Sequence, residues 1–200
     1  MKSKQWINRQ KSDYYVKKAK KIGYFSRSAF KLIEIEKKHN IIKNSSHIFE
    51  FGAAPGGWSQ VILEIKPNAK ITAIDLLDLK FNHSNILFYK VNFQEFDFKK
   101  LNKTFDLVLS DIAPNTTGHK STDHLRLSNI VFDIINLLSD ILKKNGCFIT
   151  KIWKGADEKK IFNCLKNFFN HVSYFKPESS RKDSSEIYIV AKNFNIKDKK

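Results

Sequence analysis

Short apolar runs alternate along the chain with longer stretches in which apolar residues recur at helical spacing. This alternation predicts an α/β fold with a mostly parallel, seven-stranded sheet and helices on both faces. A polar loop separates the last two runs, which predicts a hairpin and an antiparallel C-terminal strand. Strands are predicted at residues 48–51, 70–75, 86–91, 105–111, 147–153, 172–175 and 186–191. Helices are predicted at 58–65, 121–143 (stopped by Asn145-Gly146) and 158–169, and one capped by Ser26 through Phe30 and Ile35.

A loop of small residues, Gly52-Ala-Ala-Pro-Gly-Gly57, follows the first predicted strand and leads into the helix that starts at Trp58. Glycine has no Cβ, so this backbone can turn sharply and a ligand can lie against it. The order differs from the G-x-G-x-x-G of dinucleotide sites, and Pro55 removes one N–H. A ligand without phosphate, such as S-adenosylmethionine, fits this loop better. A plain Gly-Pro turn before a helix is the alternative.

Polar or small residues stand at the carboxyl ends of five predicted strands: Gly52, Asp75, Asn92, Asp111 and Lys151. Ligands of parallel sheets bind beyond these ends, and an acid after the second strand usually holds a pair of ribose hydroxyls. Singly, each residue could be a turn cap or an edge residue. Together they predict a ligand site along one edge of the sheet.

The length of 200 residues, with 42% hydrophobic and 28% charged residues, predicts one domain over residues 1–200. No run is apolar enough to span a membrane. Cys147 and Cys164 lack metal-ligand spacing, so both are predicted to be core residues of a reduced, intracellular protein without a metal site. We expect a monomer in the cytoplasm, although the lysine-rich N-terminus leaves an organelle open.

The net charge of +16 favours a polyanionic partner, with nucleic acid as the first candidate. Basic residues concentrate in an N-terminal arm, 1–21, and in a C-terminal tail, 193–200. The arm also carries Trp6, Tyr14 and Tyr15, and cations among aromatic rings suit phosphates and unstacked bases. An amphipathic arm that packs its rings on the domain explains the same pattern, so both interpretations stay open.

Several short motifs occur in one order and spacing from the arm to the last strand. They lie at residues 26–32, 52–60, 110–115, 151, 176–181 and 185–190. In these motifs the chain resembles the FtsJ/RrmJ family of S-adenosylmethionine-dependent ribose 2′-O-methyltransferases, which act on large-subunit ribosomal RNA. The resemblance implies a Rossmann-like methyltransferase fold for the whole chain.

The resemblance also implies the roles of individual residues. The family's catalytic tetrad falls on Lys31, Asp111, Lys151 and Glu186, with Lys151 acting on the 2′-hydroxyl. Its cofactor contacts fall on Gly56, Trp58, Asp75, Asn92 and Asp111. Asn92 departs from the aspartate usual in the family, although an amide oxygen still accepts a hydrogen bond from an amino group.

The reaction implied is methyl transfer from S-adenosylmethionine to a uridine of 23S-type ribosomal RNA, within the assembled large subunit. The residue types leave open whether Lys151 is a general base or only orients the hydroxyl oxygen. The alternative function is a non-catalytic, RNA-binding factor for ribosome assembly that keeps the fold. Each tetrad residue also has a plainer explanation, such as a surface ion pair between Lys31 and Glu186.

Overall fold

The computed structural model describes residues 12–115, 117–155 and 157–195 of the chain. Its helices are α1 (Tyr14–Ile22), α2 (Ala29–His39), α3 (Gly57–Ile65), α4 (Lys120–Ile141) and α5 (Glu158–Lys166). Its strands are β1 (His47–Phe51), β2 (Lys70–Asp75), β3 (Ile86–Lys90), β4 (Phe105–Ser110), β5 (Leu142–Trp153), β6 (Phe169–Phe175) and β7 (Glu186–Phe194).

All of these strands form one seven-stranded sheet in the order β3-β2-β1-β4-β5-β7-β6. The neighbours from β3 to β5 pair in parallel, and β7 runs antiparallel to β5 and β6. The predicted fold class is therefore confirmed. The chain order reverses at β1, which pairs with both β2 and β4. Ligands of such sheets bind at this switch point, beyond the carboxyl ends of the strands.

Each face of the sheet carries its own hydrophobic core because side chains alternate along a strand. Phe49 and Phe51 of β1 point into the core beneath α4 and α5. Ile48 points to the opposite core, which packs beneath α2 and α3. Strand β1 is therefore buried on both sides, as expected for the centre of a parallel sheet.

Several predicted boundaries move because the sheet takes up more chain than periodicity indicates. Asn145-Gly146 was expected to stop a helix at 143, but α4 ends at Ile141 and the pair lies within β5. Asn145 has a positive φ of 63° and the β4–β5 register shifts beside it, so the pair forms an irregularity in a strand. Phe169 and Phe194 are drawn into the paired edge of β6 and β7. Helix α5 is therefore shorter than predicted, and β7 includes the first two residues of the predicted tail.

Helix α2 begins differently from the prediction that Ser26 caps it. Ser28 occupies the cap position, and the Oγ atoms of Ser26 and Ser28 lie 2.6 Å apart. The described part of the arm forms α1, which Asp13 caps through the N–H groups of Tyr15 and Val16.

The aromatic residues of the arm do not behave alike. The ring of Tyr15 packs against Phe30, with centroids 5.3 Å apart, whereas Tyr14 is exposed. Trp6 and the rest of residues 1–11 lie outside the described residues. Cys147 and Cys164 are half-buried free thiols beside the cores. Within the described ranges, no helix is both long and apolar enough to cross a bilayer.

Candidate active site

Side chains from β5, β7 and α2 meet on one face of the sheet. Ile149 and Lys151 share a face of β5, and Glu186 and Tyr188 share a face of β7, because strand side chains alternate. Lys151 lies directly opposite Tyr188 in the antiparallel register. Lys31 reaches the same face from the buried side of α2. The fold thus brings together residues that lie up to 155 positions apart in the chain.

Two ion pairs hold this group of side chains. The Nζ atom of Lys31 lies 2.7 Å from each carboxylate oxygen of Glu186. The Nζ atom of Lys151 donates to the main-chain carbonyl of Asp111 at 2.7 Å and lies 3.2 Å from the Oδ1 atom of Asp111. All four residues of the predicted tetrad are thus held in two lysine–carboxylate pairs.

Both lysines are buried, which their sequence context alone did not indicate. Lys31 is 9% exposed and Lys151 is 6% exposed. A buried ammonium without a partner is strongly destabilising, whereas a well-placed carboxylate compensates for most of the lost hydration. Each lysine therefore depends on its carboxylate, and a surface ion pair between Lys31 and Glu186 is excluded by the burial.

Tyr188 connects the two ion pairs, and sequence reasoning assigned it no role. Its hydroxyl donates to the Oδ1 atom of Asp111 at 2.8 Å, and the Nζ atom of Lys31 lies 5.9 Å from its ring centroid. Burial, together with the charges of Asp111 and Glu186, raises the pKa of Tyr188 well above its usual value. The phenol therefore stays protonated and acts as a donor. Its position two residues after Glu186 on the same face was the available signal.

The environment of Asp111 keeps its carboxylate ionised. Burial alone would raise the pKa of this group, but the charges of Lys151 and Lys31 and the hydrogen bond from Tyr188 outweigh burial and lower it. An ionised carboxylate facing two ammonium groups gives the site a fixed charge pattern. Such preorganised charges stabilise a reacting group without further rearrangement.

A cavity of about 400 Å³ opens beyond the ends of β1, β2, β3 and β4, and Asp111 lies in its wall. Asp75 and Asn92 contribute polar groups to the wall, and Leu76 and Ile112 contribute apolar surface. Among the described residues that line it there is no Lys or Arg. The described parts of the chain also contain no cluster of three or more side chains suited to a metal ion.

Gly52 and Asp75 shape the floor of this cavity. Gly52 has φ of +73°, and a Cβ at this position would lie 2.8 Å from the Cγ1 atom of Ile112. Only glycine fits such a conformation and such a close approach. Asp75 accepts hydrogen bonds from the N–H of Ala54 at 2.9 Å and of Leu77 at 2.8 Å. The carboxylate fixes the two loops around the cavity and keeps further lone pairs for a ligand.

Asn92 lines the cavity at the end of β3. Its Oδ1 atom accepts from the N–H of Gln94 at 3.2 Å, and its Nδ2 atom donates to the Oε1 atom of Glu95 at 3.3 Å. These contacts fix the orientation of the amide at the cavity wall.

Gly56 and Trp58 lie outside the walls of the cavity. Gly56 has φ of +113° at the start of α3, where a Cβ would lie 2.6 Å from the Cβ atom of Phe81. Trp58 is buried, and its indole N–H donates to the carbonyl of Ser28 at 2.9 Å. Gly56 has only main-chain atoms to offer to a ligand, and the side chain of Trp58 is too buried to face one, so the structure does not place these two predicted contacts in the cavity.

Glu50 of β1, which the sequence analysis did not include in the site, is buried and connects β1 to the helix after the loop. The Oε2 atom of Glu50 accepts a hydrogen bond from the hydroxyl of Ser59 at 2.6 Å, which links β1 to α3. Burial raises the pKa of Glu50 from 4.5 to about 8, although the hydrogen bond from Ser59 lowers it and the charges of Asp111 and Asp75 raise it further. Glu50 is therefore mostly protonated at neutral pH.

A second unpredicted cluster joins α1 to the loop before β7. The carboxylate of Asp13 accepts from Arg27 and, at 2.9 Å, from the Nε atom of Arg181. Arg27 also donates to the carbonyl of Ser179, and the hydroxyl of Ser180 donates to the Oε1 atom of Glu186 at 2.8 Å. The cluster thereby positions the loop that carries Glu186.

The seven-stranded sheet, with one antiparallel strand near its end and a cavity at the switch point, is the fold of a methyltransferase. The model of the FtsJ-like methyltransferase family matches residues 24–194. The chain belongs to this family, so the resemblance drawn from the motifs is confirmed.

Similar proteins carry more specific names. The ribosomal RNA large subunit methyltransferase E of Zymomonas mobilis is 41% identical over 197 residues, which covers 96% of this chain and 89% of the relative. The protein of the same name in Ehrlichia chaffeensis is 39% identical over 201 residues, covering 97% of this chain and 94% of the relative.

Solved structures show the same similarity. The crystal structure of a Plasmodium falciparum protein described as a ribosomal RNA methyltransferase has a TM-score of 0.76 and 31% identity, and covers 86% of this chain and 98% of that one. Human methyltransferase-like protein 13, solved in complex with SAH, has a TM-score of 0.59 and 12% identity over 86% of this chain and 82% of that one. At that identity the likeness shows the fold alone.

Proposed function

We propose that the protein transfers a methyl group from S-adenosylmethionine to the ribose 2′-hydroxyl of a uridine in large-subunit ribosomal RNA. The observation that carries this proposal is the pair of buried contacts, Lys31 with Glu186 and Lys151 with Asp111, beside a cavity at the switch point of the sheet. Family membership supports methyl transfer. The names of the relatives support ribosomal RNA as the acceptor.

The residues that line the cavity fit S-adenosylmethionine, which supplies an activated methyl group when it is bound. The carboxylates of Asp75 and Asp111 favour a cationic ligand, and Leu76 and Ile112 offer apolar surface to a flat base. Asp75 has lone pairs for ribose hydroxyls, and the amide of Asn92 can accept from an amino group. A cavity wall without Lys or Arg among its described residues suits a ligand without phosphate.

Lys151 is placed to act on the acceptor hydroxyl. Its two contacts with Asp111 occupy two of the tetrahedral directions around Nζ and so fix the remaining one. In that direction Lys151, once it has given up its own extra proton and is a neutral amine, would take the hydroxyl proton on its lone pair. The hydroxyl oxygen would bond to the methyl carbon as the carbon–sulfur bond of S-adenosylmethionine breaks, and SAH would leave. Lys31 adds a positive charge to the site and Glu186 adds a negative one. Tyr188 holds Asp111 in position through its hydrogen bond.

A labelling experiment tests the proposal. Large ribosomal subunits and protein-free ribosomal RNA are incubated with the protein and methyl-labelled S-adenosylmethionine, and the nucleosides are then analysed. We expect label on the 2′-oxygen of a uridine, with more transfer to assembled subunits than to free RNA. Label on a base would refute the acceptor assignment. Tight RNA binding without any transfer would favour a non-catalytic assembly factor.

Substitution of Lys151 separates its two suggested roles. Lys151→Ala should abolish transfer while SAH binding by calorimetry stays unchanged, and exposed Lys160→Ala serves as the matched control. Lys151→Arg keeps a positive charge but cannot act as a base, because a guanidinium stays protonated. We expect Lys151→Arg to be inactive as well. Substantial turnover by this variant would leave Lys151 only an orienting role.

A further inference from the structure

A second cleft lies outside the ion pairs and outside the proposed cofactor cavity. It has a volume of about 410 Å³ and lies between β3 and the loop that precedes it. Its lining combines apolar side chains with polar ones that can form hydrogen bonds. The lining residues used below are Leu79, Phe81, Asn82, His83, Ile86 and Phe88.

Three aromatic rings lie near one another at or beside this cleft. The ring centroid of Phe81, which lines the cleft, lies 6.2 Å from that of Phe25 and 6.2 Å from that of His83. The planes of Phe81 and His83 differ by only 30°, which is close to a stacked arrangement. Phe25 is 44% exposed, although it is a large apolar side chain. His83 is exposed, whereas Phe81 is partly buried against the core beneath α2 and α3. Accessible aromatic rings near one another are a common platform for unstacked bases.

The loops that carry these rings are anchored to the loop after β1. The N–H of Lys80 donates to the carbonyl of Pro55 at 3.1 Å, and the Cβ atom of Phe81 packs closely against Gly56. The N–H of Phe25 donates to the Oε1 atom of Gln60 on α3 at 2.8 Å. The rings are therefore preorganised, which reduces the entropy lost when a ligand binds.

The segment that carries Phe25 leads along the chain to the helix of the proposed acceptor site. Phe25 is followed by Ser26, whose side chain packs directly against Gly57. Helix α2 starts three residues later and carries Lys31. We therefore expect an RNA strand that places a ribose at Lys31 and Lys151 to pass along this segment towards Phe25 and Phe81.

We propose that this cleft binds an unpaired base of the RNA substrate other than the acceptor nucleotide. The proposal rests on the proposed function, because it takes the RNA acceptor as given. The rings offer stacking surface, and Leu79, Ile86 and Phe88 offer an apolar floor. The Nδ1 atom of His83 accepts from the N–H of Asn85 at 3.1 Å, so in the neutral ring the hydrogen is on Nε2.

Charge favours RNA over other flat or apolar ligands at this cleft. Lys80 is exposed next to Phe81, and Lys20 and Lys21 form the last turn of α1 just before Phe25. The whole chain carries a net charge of +16. Lysines beside stacking rings match the alternation of phosphate and base along a single strand.

The test compares single-stranded RNA with a duplex of the same sequence, both fluorescently labelled, in equilibrium binding to the full chain. Phe81→Leu and the double variant Phe25→Leu/His83→Ala remove stacking surface. Tyr174→Leu is the matched control, because Tyr174 is exposed and stacks on Phe162 at the far edge of the sheet. We expect both cleft variants to bind the single strand roughly 10-fold more weakly, with duplex binding and the Tyr174 control unchanged.

Unchanged affinity of the double variant for the single strand would overturn the proposal. An equal loss of affinity for the duplex would also overturn it, because it would indicate contact with the RNA backbone only. Calorimetry with SAH monitors the cofactor cavity. If Phe81→Leu also loses SAH affinity through its contact with Gly56, the double variant decides, because it leaves that contact in place. The assay needs no methyl transfer, so its result is independent of whether the proposed reaction fails.

Discussion

Tyr188 is the residue that the two lysine–carboxylate pairs have in common. Its hydroxyl reaches Asp111 while its ring lies beside Lys31, and it is fully buried. Because one rigid ring contacts both pairs, a movement of either carboxylate is resisted by the other pair. At this scale, we expect the alignment of the proposed site to depend on a donor that has no direct part in the proposed reaction.

Removing this hydroxyl should therefore reduce turnover without affecting cofactor binding. For Tyr188→Phe we expect kcat to fall roughly 10-fold, equivalent to about 1.4 kcal/mol, because Asp111 loses a donor. The dissociation constant for SAH should not change. Tyr174→Phe, which removes the hydroxyl of an exposed residue on β6, is the control. Equal kcat values for Tyr188→Phe and the unmodified protein would contradict the bridging role.

Glu50 predicts a pH dependence of stability that is specific to one residue. Because its pKa rises from 4.5 in water to about 8 in the fold, the native state binds the proton that the unfolded state has already lost between these values. Its contribution to stability is therefore complete below pH 4.5 and is lost as pH rises towards about 8.

Glu50→Gln should abolish this contribution, because an amide does not titrate in this range. Urea unfolding at several pH values should show a steeper fall in the unfolding free energy for the unmodified protein than for Glu50→Gln. The difference should be on the order of a few kcal/mol across the window. Parallel curves for the two proteins would show that Glu50 is ionised in the fold.

At the scale of elements, the connection from β1 to α3 contacts both the proposed cofactor cavity and the cleft. Gly52 faces the cavity and Ile112, whereas Gly56 faces Phe81 on the side of the cleft. Asp75, at the end of β2, accepts a hydrogen bond from Ala54 of this connection, and Glu50 of β1 accepts one from Ser59 at the start of α3. One loop thus shapes two neighbouring sites through its two glycines.

Gly52→Ala should test this arrangement at the cavity. The new Cβ would lie 2.8 Å from Ile112 and in a backbone conformation with positive φ. We expect SAH to bind at least roughly 10-fold more weakly, because the loop must move into the cavity. Gly23→Ala is the matched control, because Gly23 has φ of +95° but no neighbour within 4 Å. The control should lose about 1 kcal/mol of stability and retain SAH affinity. Equal SAH affinity for Gly52→Ala would disprove the close fit.

For the molecule as a whole, Asp13 links the first described helix to the loop before the last strand. Asp13 lies 168 residues from Arg181 in the chain. The side chains of Asp13, Arg27 and Arg181 are all mostly buried. Burial raises the pKa of Asp13, but the hydrogen bond from Arg181 and the charge of Arg27 outweigh burial and lower it. The carboxylate therefore stays charged and holds both arginines.

Asp13→Ala should destabilise the protein clearly, because it leaves two partly buried guanidinium groups without their shared partner. We expect a loss of roughly 2–4 kcal/mol in urea unfolding. Asp78→Ala, which removes an exposed ion pair with Lys90, should change the free energy by less than about 1 kcal/mol. If Asp13→Ala and Asp78→Ala lower the free energy of unfolding by the same small amount, Asp13 is not a structural link.

Much of the fold could be predicted from the sequence because strand and helix periodicity are local signals. The strand ends at Asp75 and Asp111 lie where the pattern placed them, within one residue. Asn145-Gly146 misled the prediction, because the same dipeptide suits a helix end and an irregular strand. The pairing of this segment with the neighbouring strand β4 selects the irregular strand over the helix end.

The pairing within the site could not be derived from periodicity. Lys31 and Lys151 sit in apolar stretches that are compatible with exposure, and only tertiary contact buries them. The motifs indicated the tetrad through resemblance, but not Tyr188 as its link or Asp13 as its support. Long-range contacts such as that between Asp13 and Arg181 leave no local pattern in a single sequence.

The position of β7 has a consequence for a chain that is cut short. The strand lies between β5 and β6 and carries Glu186 and Tyr188. A chain that ends before β7 would still contain every described residue that lines the cavity, from Gly52 to Ile130. It would lack the carboxylate that pairs with Lys31 and the hydroxyl that donates to Asp111. We expect such a chain to keep the cavity residues but to lose the paired charges of the proposed active site.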